Sequence, residues 1–332
     1  MRDMTLPMML PKKWLPRKWL MSIVAMSLAV GAAAIFATAA SASGRLGQNA
    51  NIPLITQDGQ TVHFYDDMIK GKIVAVNFIY TSCLFTCPLE TARLAQVQRL
   101  LGGRVGKDIF FYSISIDPGH DTPAVLKDYM ADFDVGPGWT FLTGKAADID
   151  MLAVRLGLTD DPSITSGPGR DIDGHTPHLL IGNETTGQWL RDSSADNPTM
   201  LAHLLVTFVG GGPVVASVAP SANPGHANGA PLRLNTGQYL FAKECAACHT
   251  VNGQGGNVGP DLKNVTRVRD RDWLERYITA PNKMRAAGDP IAVQLAAAYK
   301  VVMPNLTVGD QDLAAIIDFL SAQAGPQKTG SQ

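Results

Sequence analysis

Two cysteine pairs carry the chemistry legible in this chain. Cys245-Ala-Ala-Cys248-His249 places two thiols about one helical turn apart with an imidazole directly after them. Such a pair can form thioethers to the two vinyl groups of one porphyrin, and the adjacent histidine is then delivered to the iron from one face. The competing chemistries are a dithiol redox motif and half of a zinc site. Zinc would need two more ligands, and residues 250–332 contain neither Cys nor His. A redox dithiol usually follows a strand, whereas this pair sits in a helical pattern. A covalently held haem c is therefore expected on Cys245 and Cys248, with His249 as one axial ligand. Met284 and Met303 are the methionines that follow His249 and could supply the other. Met303 is the expected ligand, because Pro304 biases it toward an extended loop that can offer a thioether. Met284 lies beside Arg285 in a segment that reads as solvated.

The second pair is Cys83-Leu-Phe-Thr-Cys87-Pro88. It follows an apolar run and opens a helix, where the backbone dipole favours a thiolate. Three residues separate the cysteines, so the pair can chelate one soft ion through both sulfurs, and Cu(I) is the soft choice. A third ligand would complete a trigonal site. The candidates are His175 and His178 in Gly174-His175-Thr-Pro-His178.

The elements that must position these groups form two patterns. Residues 46–210 read as an α/β unit. Gly71–Tyr80 and Asp108–Ile116 are β-branched and aromatic runs suited to strands buried on both faces. Helical spacing from Leu89 to Leu101 lies between them, giving a βαβ crossover and a parallel pair. A helix over Pro123–Phe133, a strand over Trp139–Leu142, a strand pair Leu179–Ile181 and Gln188–Leu190, and a helix over Pro198–Val209 complete the unit. Asp117 and Asp121 fit turn formation and helix capping as well as a role beside the cysteines, and Asp121 reads as the cap of the helix begun at Pro123. His63, His120, His203 and His226 have no clustered partners in the sequence. Residues 211–233 are a Pro/Gly/Ala/Ser linker. Residues 234–325 turn helical, with helices near Thr236–Ala246, Asp270–Thr279, Ile291–Tyr299 and Gln311–Ala322, and residues 326–332 form a tail.

Composition bounds the function. The chain has 332 residues with 28 basic and 29 acidic side chains. Five basic groups and one acid fall in residues 1–42, so the remainder carries a net charge of -5. No basic stripe appears there, and a nucleic-acid partner is not expected. Four cysteines in two close pairs are too few for a disulfide scaffold. Leu20–Ala40 is an uncharged stretch of 21 residues behind a basic cluster, and Ala40-Ser41-Ala42 offers a cleavage site. Residues 1–42 are therefore expected to be a membrane anchor, with a signal peptide as the competing reading. Both export the remainder, placing it in the periplasm, either membrane-anchored or soluble.

Two family resemblances rest on these residues. Residues 236–325 resemble a class I-type cytochrome c through the haem motif, Gly259-Pro260-Asp-Leu262, Trp273-Leu-Glu-Arg-Tyr-Ile278, Met303-Pro304 and Ile317-Asp-Phe-Leu320. That resemblance implies an all-α domain in which Pro260 supports His249. Residues 50–210 resemble the Sco/SenC family through Tyr80-Thr-Ser-Cys83-x-x-x-Cys87-Pro88, Ser115-Ile-Asp117-Pro118-x-x-Asp121-Thr122-Pro123, Leu142-Thr-Gly144 and His175 ahead of Leu180-Ile181. It implies a thioredoxin-like α/β fold binding one copper through two cysteines and one histidine. The implied role is supplying copper to, or reducing the thiols of, the binuclear copper (CuA) site of cytochrome c oxidase. Family members carry the histidine about seven residues before the Leu-Ile-Gly end of the strand; Gly182 lies seven residues after His175 and four after His178, so His175 fits better.

Three functions follow. The first is a copper-binding assembly factor whose fused haem exchanges electrons with the copper or the cysteine pair. The second is an exported thiol–disulfide oxidoreductase coupled to a haem electron carrier, with Cys83 and Cys87 cycling through a disulfide. The third is an electron carrier with a docking module. The three-residue gap, the following proline and an available histidine favour the first. Cu(I) and Cu(II) differ by one electron and one haem carries one, whereas a dithiol needs two. The expected partners are the copper-site subunit of the oxidase or another exported copper or thiol protein, and a redox partner for the haem.

Overall fold

In the computed structural model, residues 50–159, 164–165, 178–194, 196–209 and 236–324 are described. The centre of the first domain is β3 (Ile73–Ile79), whose apolar run is buried on both faces except at its first residue. It is flanked by β1 (Pro53–Thr56) and β2 (Thr61–His63) in sequence, and by β4 (Ile109–Ser115) and β5 (Trp139–Thr143) later in the chain. With β6 (Leu179–Asn183) and β7 (Gln188–Asp192), these build one seven-stranded sheet of order β2-β1-β5-β4-β3-β6-β7. β3 pairs parallel with β4, placing Ile73 opposite Ile109 and Ile79 opposite Ser115. β6 runs antiparallel on the other side of β3, with Ala75 opposite Ile181. The parallel pair requires a crossover, and α1 (Thr86–Leu101) supplies it as the βαβ pattern predicts.

α1 begins earlier than its apolar spacing suggests, so that Cys87 and Pro88 lie in its first turn. Twelve of its sixteen residues are buried, including Glu90 and Arg93. That is more than the one apolar stripe an amphipathic helix on a sheet surface hides. α2 (Pro123–Asp132) is capped by Thr122, whose side chain accepts from the Val125 N–H. The expectation that Asp121 caps this helix is therefore corrected. α3 (Ala146–Arg155) and the hairpin β1–β2 were not expected from the sequence. α4 (Pro198–His203) continues as wider turns to Val209.

The second domain is helical. α5 (Thr236–Leu240) runs on through wider turns to Cys245, which brings the chain into the haem motif. α6 (Val265–Val268), α7 (Arg271–Thr279), α8 (Pro281–Ala286), α9 (Pro290–Ala298) and α10 (Asp310–Gln323) follow. Trp273 stacks on Tyr277 with ring centroids 4.5 Å apart, and both pack with Leu274, Ile278, Leu313 and Ile317. Met284 is 8% exposed within this core, so the expectation of a solvated segment is corrected. Its flanking Lys283 and Arg285 suggest solvent, but their neighbour turns inward. Among the described residues no helix is long and apolar enough to cross a membrane. The expected anchor or signal peptide in residues 1–42, the linker 211–233 and the tail 326–332 lie outside the described residues.

Candidate functional site

The cysteine loop is held from below and from the side. Cys83 and Cys87 are both buried, and the Cys87 N–H points at Cys83 Sγ at 3.5 Å. The first N–H groups of a helix have no intrahelical partner, and here a thiol sulfur takes the place of a capping oxygen. The Cys83 pKa is lowered to about 6 by its hydrogen bond with the Cys87 thiol, helped by the backbone N–H groups of Cys87 and Phe85, while burial opposes the shift. Cys87 is pushed the other way, first by donating to Cys83 and then by burial. One sulfur is thus prepared as a thiolate and the other as its hydrogen-bond donor. Such a pair needs to lose only one more proton to present two thiolates to a cation.

Beneath the loop runs a chain of buried polar groups. Trp139 Nε1 donates to Ser113 Oγ at 2.9 Å, Ser113 Oγ donates to Asn77 Oδ1 at 2.7 Å, and Asn77 Nδ2 donates to Glu90 Oε1 at 2.8 Å. Glu90 lies one turn after Cys87, and burial raises its pKa to about 7, partly offset by Ser194 and Asn77. At the entrance, Asp121 is completely buried. Its carboxylate accepts from the Thr81 N–H at 3.1 Å, the Thr81 hydroxyl at 2.5 Å and the Ser115 hydroxyl at 2.6 Å. These bonds tie the segment two residues before Cys83 to the end of β4. His120 Nδ1 lies 3.0 Å from Asp121 Oδ1, and this hydrogen bond raises the His120 pKa. The sequence offered His120 no partner; the fold gives it one. Leu84 and Phe85 present partly exposed apolar surface between the cysteines.

His178 is half-buried immediately before β6. His175 lies outside the described residues. Among the described residues no three His, Cys, Asp or Glu side chains form a metal-holding cluster. The two cysteines are therefore brought together, and the third ligand is not placed.

In the second domain, a cavity of about 330 Å³ opens beside the haem motif. Cys245, Cys248 and His249 line it together with Met303, while Met284 is not among its walls. Most of the remaining lining is apolar, with Leu274, Ile278 and Leu295 among it, as a porphyrin requires. Burial raises both thiols to about 12, so neither is a thiolate waiting for a cation. His249 Nδ1 lies 2.9 Å from the Pro260 carbonyl. A carbonyl only accepts, so Nδ1 carries the proton and Nε2 keeps its lone pair. Burial also lowers the His249 pKa, which holds the ring neutral. A Cβ added at Gly259 would stand 2.6 Å from His249 Cε1, so only glycine lets this loop close on the imidazole. The donor set and the apolar walls fit a haem c. When bound, the haem supplies a one-electron Fe(III)/Fe(II) couple. Cys245 and Cys248 would anchor it, His249 would present Nε2 to the iron, and Met303 would face it with a thioether.

Residues 45–207 match the family model SCO1/SenC, and residues 234–324 match the model Cytochrome c. The chain carries an SCO1/SenC domain and a cytochrome c domain. Its first part therefore has the Sco thioredoxin-like α/β fold, and its second part is the helical domain that implies haem c. The SCO1 protein homolog of Bacillus subtilis is 33% identical over 101 residues, which is 30% of this chain and 51% of that protein. Protein SenC of Rhodobacter capsulatus is 36% identical over 110 residues, or 33% of this chain and 47% of that one. The chain thus spans about half the length of the curated relatives it matches. The solved structure of Bradyrhizobium japonicum ScoI with copper bound is 27% identical, covering 46% of this chain and 94% of that one, with a TM-score of 0.37. The solved structure of BsSco, described as a member of the Sco family of cytochrome c oxidase assembly proteins, is 23% identical, covering 46% of this chain and 88% of that one, with a TM-score of 0.40.

Proposed function

We propose that this protein is an exported copper-binding assembly factor for the CuA site of cytochrome c oxidase, and that its haem domain exchanges electrons with the copper held by Cys83 and Cys87. The observation that carries the reading is the cysteine pair at the start of α1. Two buried sulfurs share one hydrogen-bonded site, with Cys83 biased toward the thiolate. Soft, paired thiolates suit Cu(I), and an imidazole makes Cu(II) accessible. His175 would supply it, with His178 as the alternative. On this reading the haem has His249 and Met303 as axial ligands, an arrangement that raises its potential and suits electron transfer. The domain operates in the periplasm, anchored to the membrane through residues 20–40. A thiol–disulfide oxidoreductase using the same cysteines is the second reading, favoured by the lowered pKa of Cys83 alone.

Copper titration of variants tests this directly. Cys83→Ser and Cys87→Ser each abolish tight copper binding. His175→Ala retains Cu(I) binding through the two thiolates but loses Cu(II), while His178→Ala leaves both nearly intact. If the cysteine pair binds no copper yet cycles rapidly with protein disulfides, the oxidoreductase reading replaces the chaperone.

A further inference from the structure

α1 is buried on nearly every side because the sheet and α4 cover part of it and the haem domain meets the face that carries Arg93 and Gln96. Arg93 is 4% exposed, against the segment that leads into the haem motif. Its guanidinium lies 3.5 Å from Glu244 Oε2, and Nη2 donates to the Lys243 carbonyl. One turn on, Gln96 Nε2 donates to the Ala246 carbonyl at 2.9 Å. All three acceptors lie in, or directly before, the Cys245–His249 motif. Below them, Leu89, Ala92 and Phe133 of the first domain pack with Ala247, and Cys248, Val258, Val301 and Leu306 close around that cluster. A second connection joins the two cofactor loops themselves. The Asn305 N–H donates to the Leu84 carbonyl at 2.9 Å. Asn305 is two residues from Met303, and Leu84 is the residue after Cys83.

We infer that this face is a built-in electron-transfer contact: Arg93 and Gln96 latch the haem motif onto α1, so that electrons pass between the haem and the Cys83/Cys87 site within one docked chain. The inference rests on the copper–haem reading above. It adds the surface, the latch residues and a connection that runs from Met303 through Pro304 and the Asn305 N–H to the Leu84 carbonyl and Cys83. In the step one electron leaves Cu(I) to give Cu(II) and reduces Fe(III) to Fe(II), or the reverse. No bond forms or breaks and no proton moves. Arg93 is suited to the latch because a guanidinium can satisfy a carbonyl and a carboxylate together. Arg93 and Gln96 are positioning residues and touch neither cofactor in this role. Without them the domains are only tethered, and encounter is governed by an effective concentration rather than a fixed geometry.

The test uses the full chain with haem attached and one Cu(II) bound. A light pulse with a flavin donor reduces the haem, and absorbance follows its reoxidation by copper. The expected decay is first order and independent of protein concentration. The Arg93→Ala/Gln96→Glu double variant removes the ion pair and sets a carboxylate against a carbonyl. It should keep the haem spectrum and bound copper, weaken docking about a hundredfold, and slow the decay about tenfold or more. In the copper-free chain, the same variant should speed amide hydrogen exchange in segments 84–96 and 300–306. A decay that the double variant leaves unchanged, a rate proportional to protein concentration, or unaltered exchange in both segments overturns the latch. If no electron passes either from ferrous haem to Cu(II) or from Cu(I) to ferric haem while both segments stay protected, the copper–haem reading fails and the route with it, although the docked face stands.

Discussion

Replacing Asp121 by alanine should loosen the copper loop without touching a ligand. The carboxylate has no exposure and accepts from the Thr81 N–H, the Thr81 hydroxyl and the Ser115 hydroxyl. Hydrogen bonds to a charged acceptor contribute about 1.5–3 kcal/mol each, and a buried donor left without a partner costs about 1–3 kcal/mol. The two hydroxyls can rotate, which spares part of that cost, so the loss for Asp121→Ala should be about 3–5 kcal/mol. Asp121→Asn keeps one accepting oxygen and should lose about half as much. Urea unfolding of the copper-free protein measures both. If about 1.4 kcal/mol of the loss falls on the loop conformation that binds metal, Cu(I) affinity drops about tenfold, measurable by competition with a chromophoric chelator. His120 supplies a local control. Its pKa is raised by the Asp121 carboxylate, so in Asp121→Ala its titration should move down toward an ordinary histidine, visible in ring-proton spectra. An Asp121→Ala protein within about 1 kcal/mol of the wild type, with unchanged copper affinity, would refute the argument that this carboxylate fastens Thr81 and the loop behind it.

Two further outcomes follow from the same geometry. Met303→Ala should remove the long-wavelength sulfur-to-iron band and lower the haem potential, whereas Met284→Ala should keep the band and cost about 2–5 kcal/mol of stability as a core truncation. The reverse pattern would exchange their roles. In the copper-free protein, alkylation should occur at Cys83 ahead of Cys87, and its rate should rise through a midpoint near pH 6, because the Cys83 pKa is lowered to about 6 while that of Cys87 is raised. Below that midpoint Cys83 is protonated and slow. Peptide mapping after brief labelling separates the two cysteines, and a midpoint near that of a free thiol would contradict the hydrogen-bonded pair.

The parts of this molecule legible in its sequence are those governed by local pattern. β3 and β4 announce themselves because a strand buried on both faces reads as a near-continuous apolar run, interrupted here at Asn77, Ser113 and Ser115. The expected haem motif and Met303 do line one cavity, the motif because its residues are packed into five positions. Short elements escaped notice. β1 and β2 have four and three residues, too few to display alternation, and α3 starts at Ala146 behind Lys145, whose side chain makes no capping bond. Asp121 misled for a specific reason. An acid ahead of Thr122-Pro123 looks like a helix cap, but Thr122 takes that position and frees the carboxylate for the interior. Glu90 and Arg93 read as the polar side of an amphipathic helix. Both are buried because α1 is covered by the sheet, by α4 and by residues about 150 positions later. No periodicity encodes that contact. The Leu84–Asn305 hydrogen bond is equally invisible, since it depends on two separately folded loops meeting.

The most direct test of the whole account is an anaerobic pair of titrations on the intact chain, with bound copper and haem absorbance recorded together. Cu(I) is added to the ferric protein and Cu(II) to the ferrous protein. Whichever centre has the higher potential, one of the two mixtures must move an electron between copper and haem. The expected result is saturation at one copper per chain, a haem change of one electron per copper in one of the two titrations, and loss of both signals in Cys83→Ser and Cys87→Ser. Copper that binds equally well without these cysteines, or that binds through them and leaves the haem unchanged in both titrations, would contradict it.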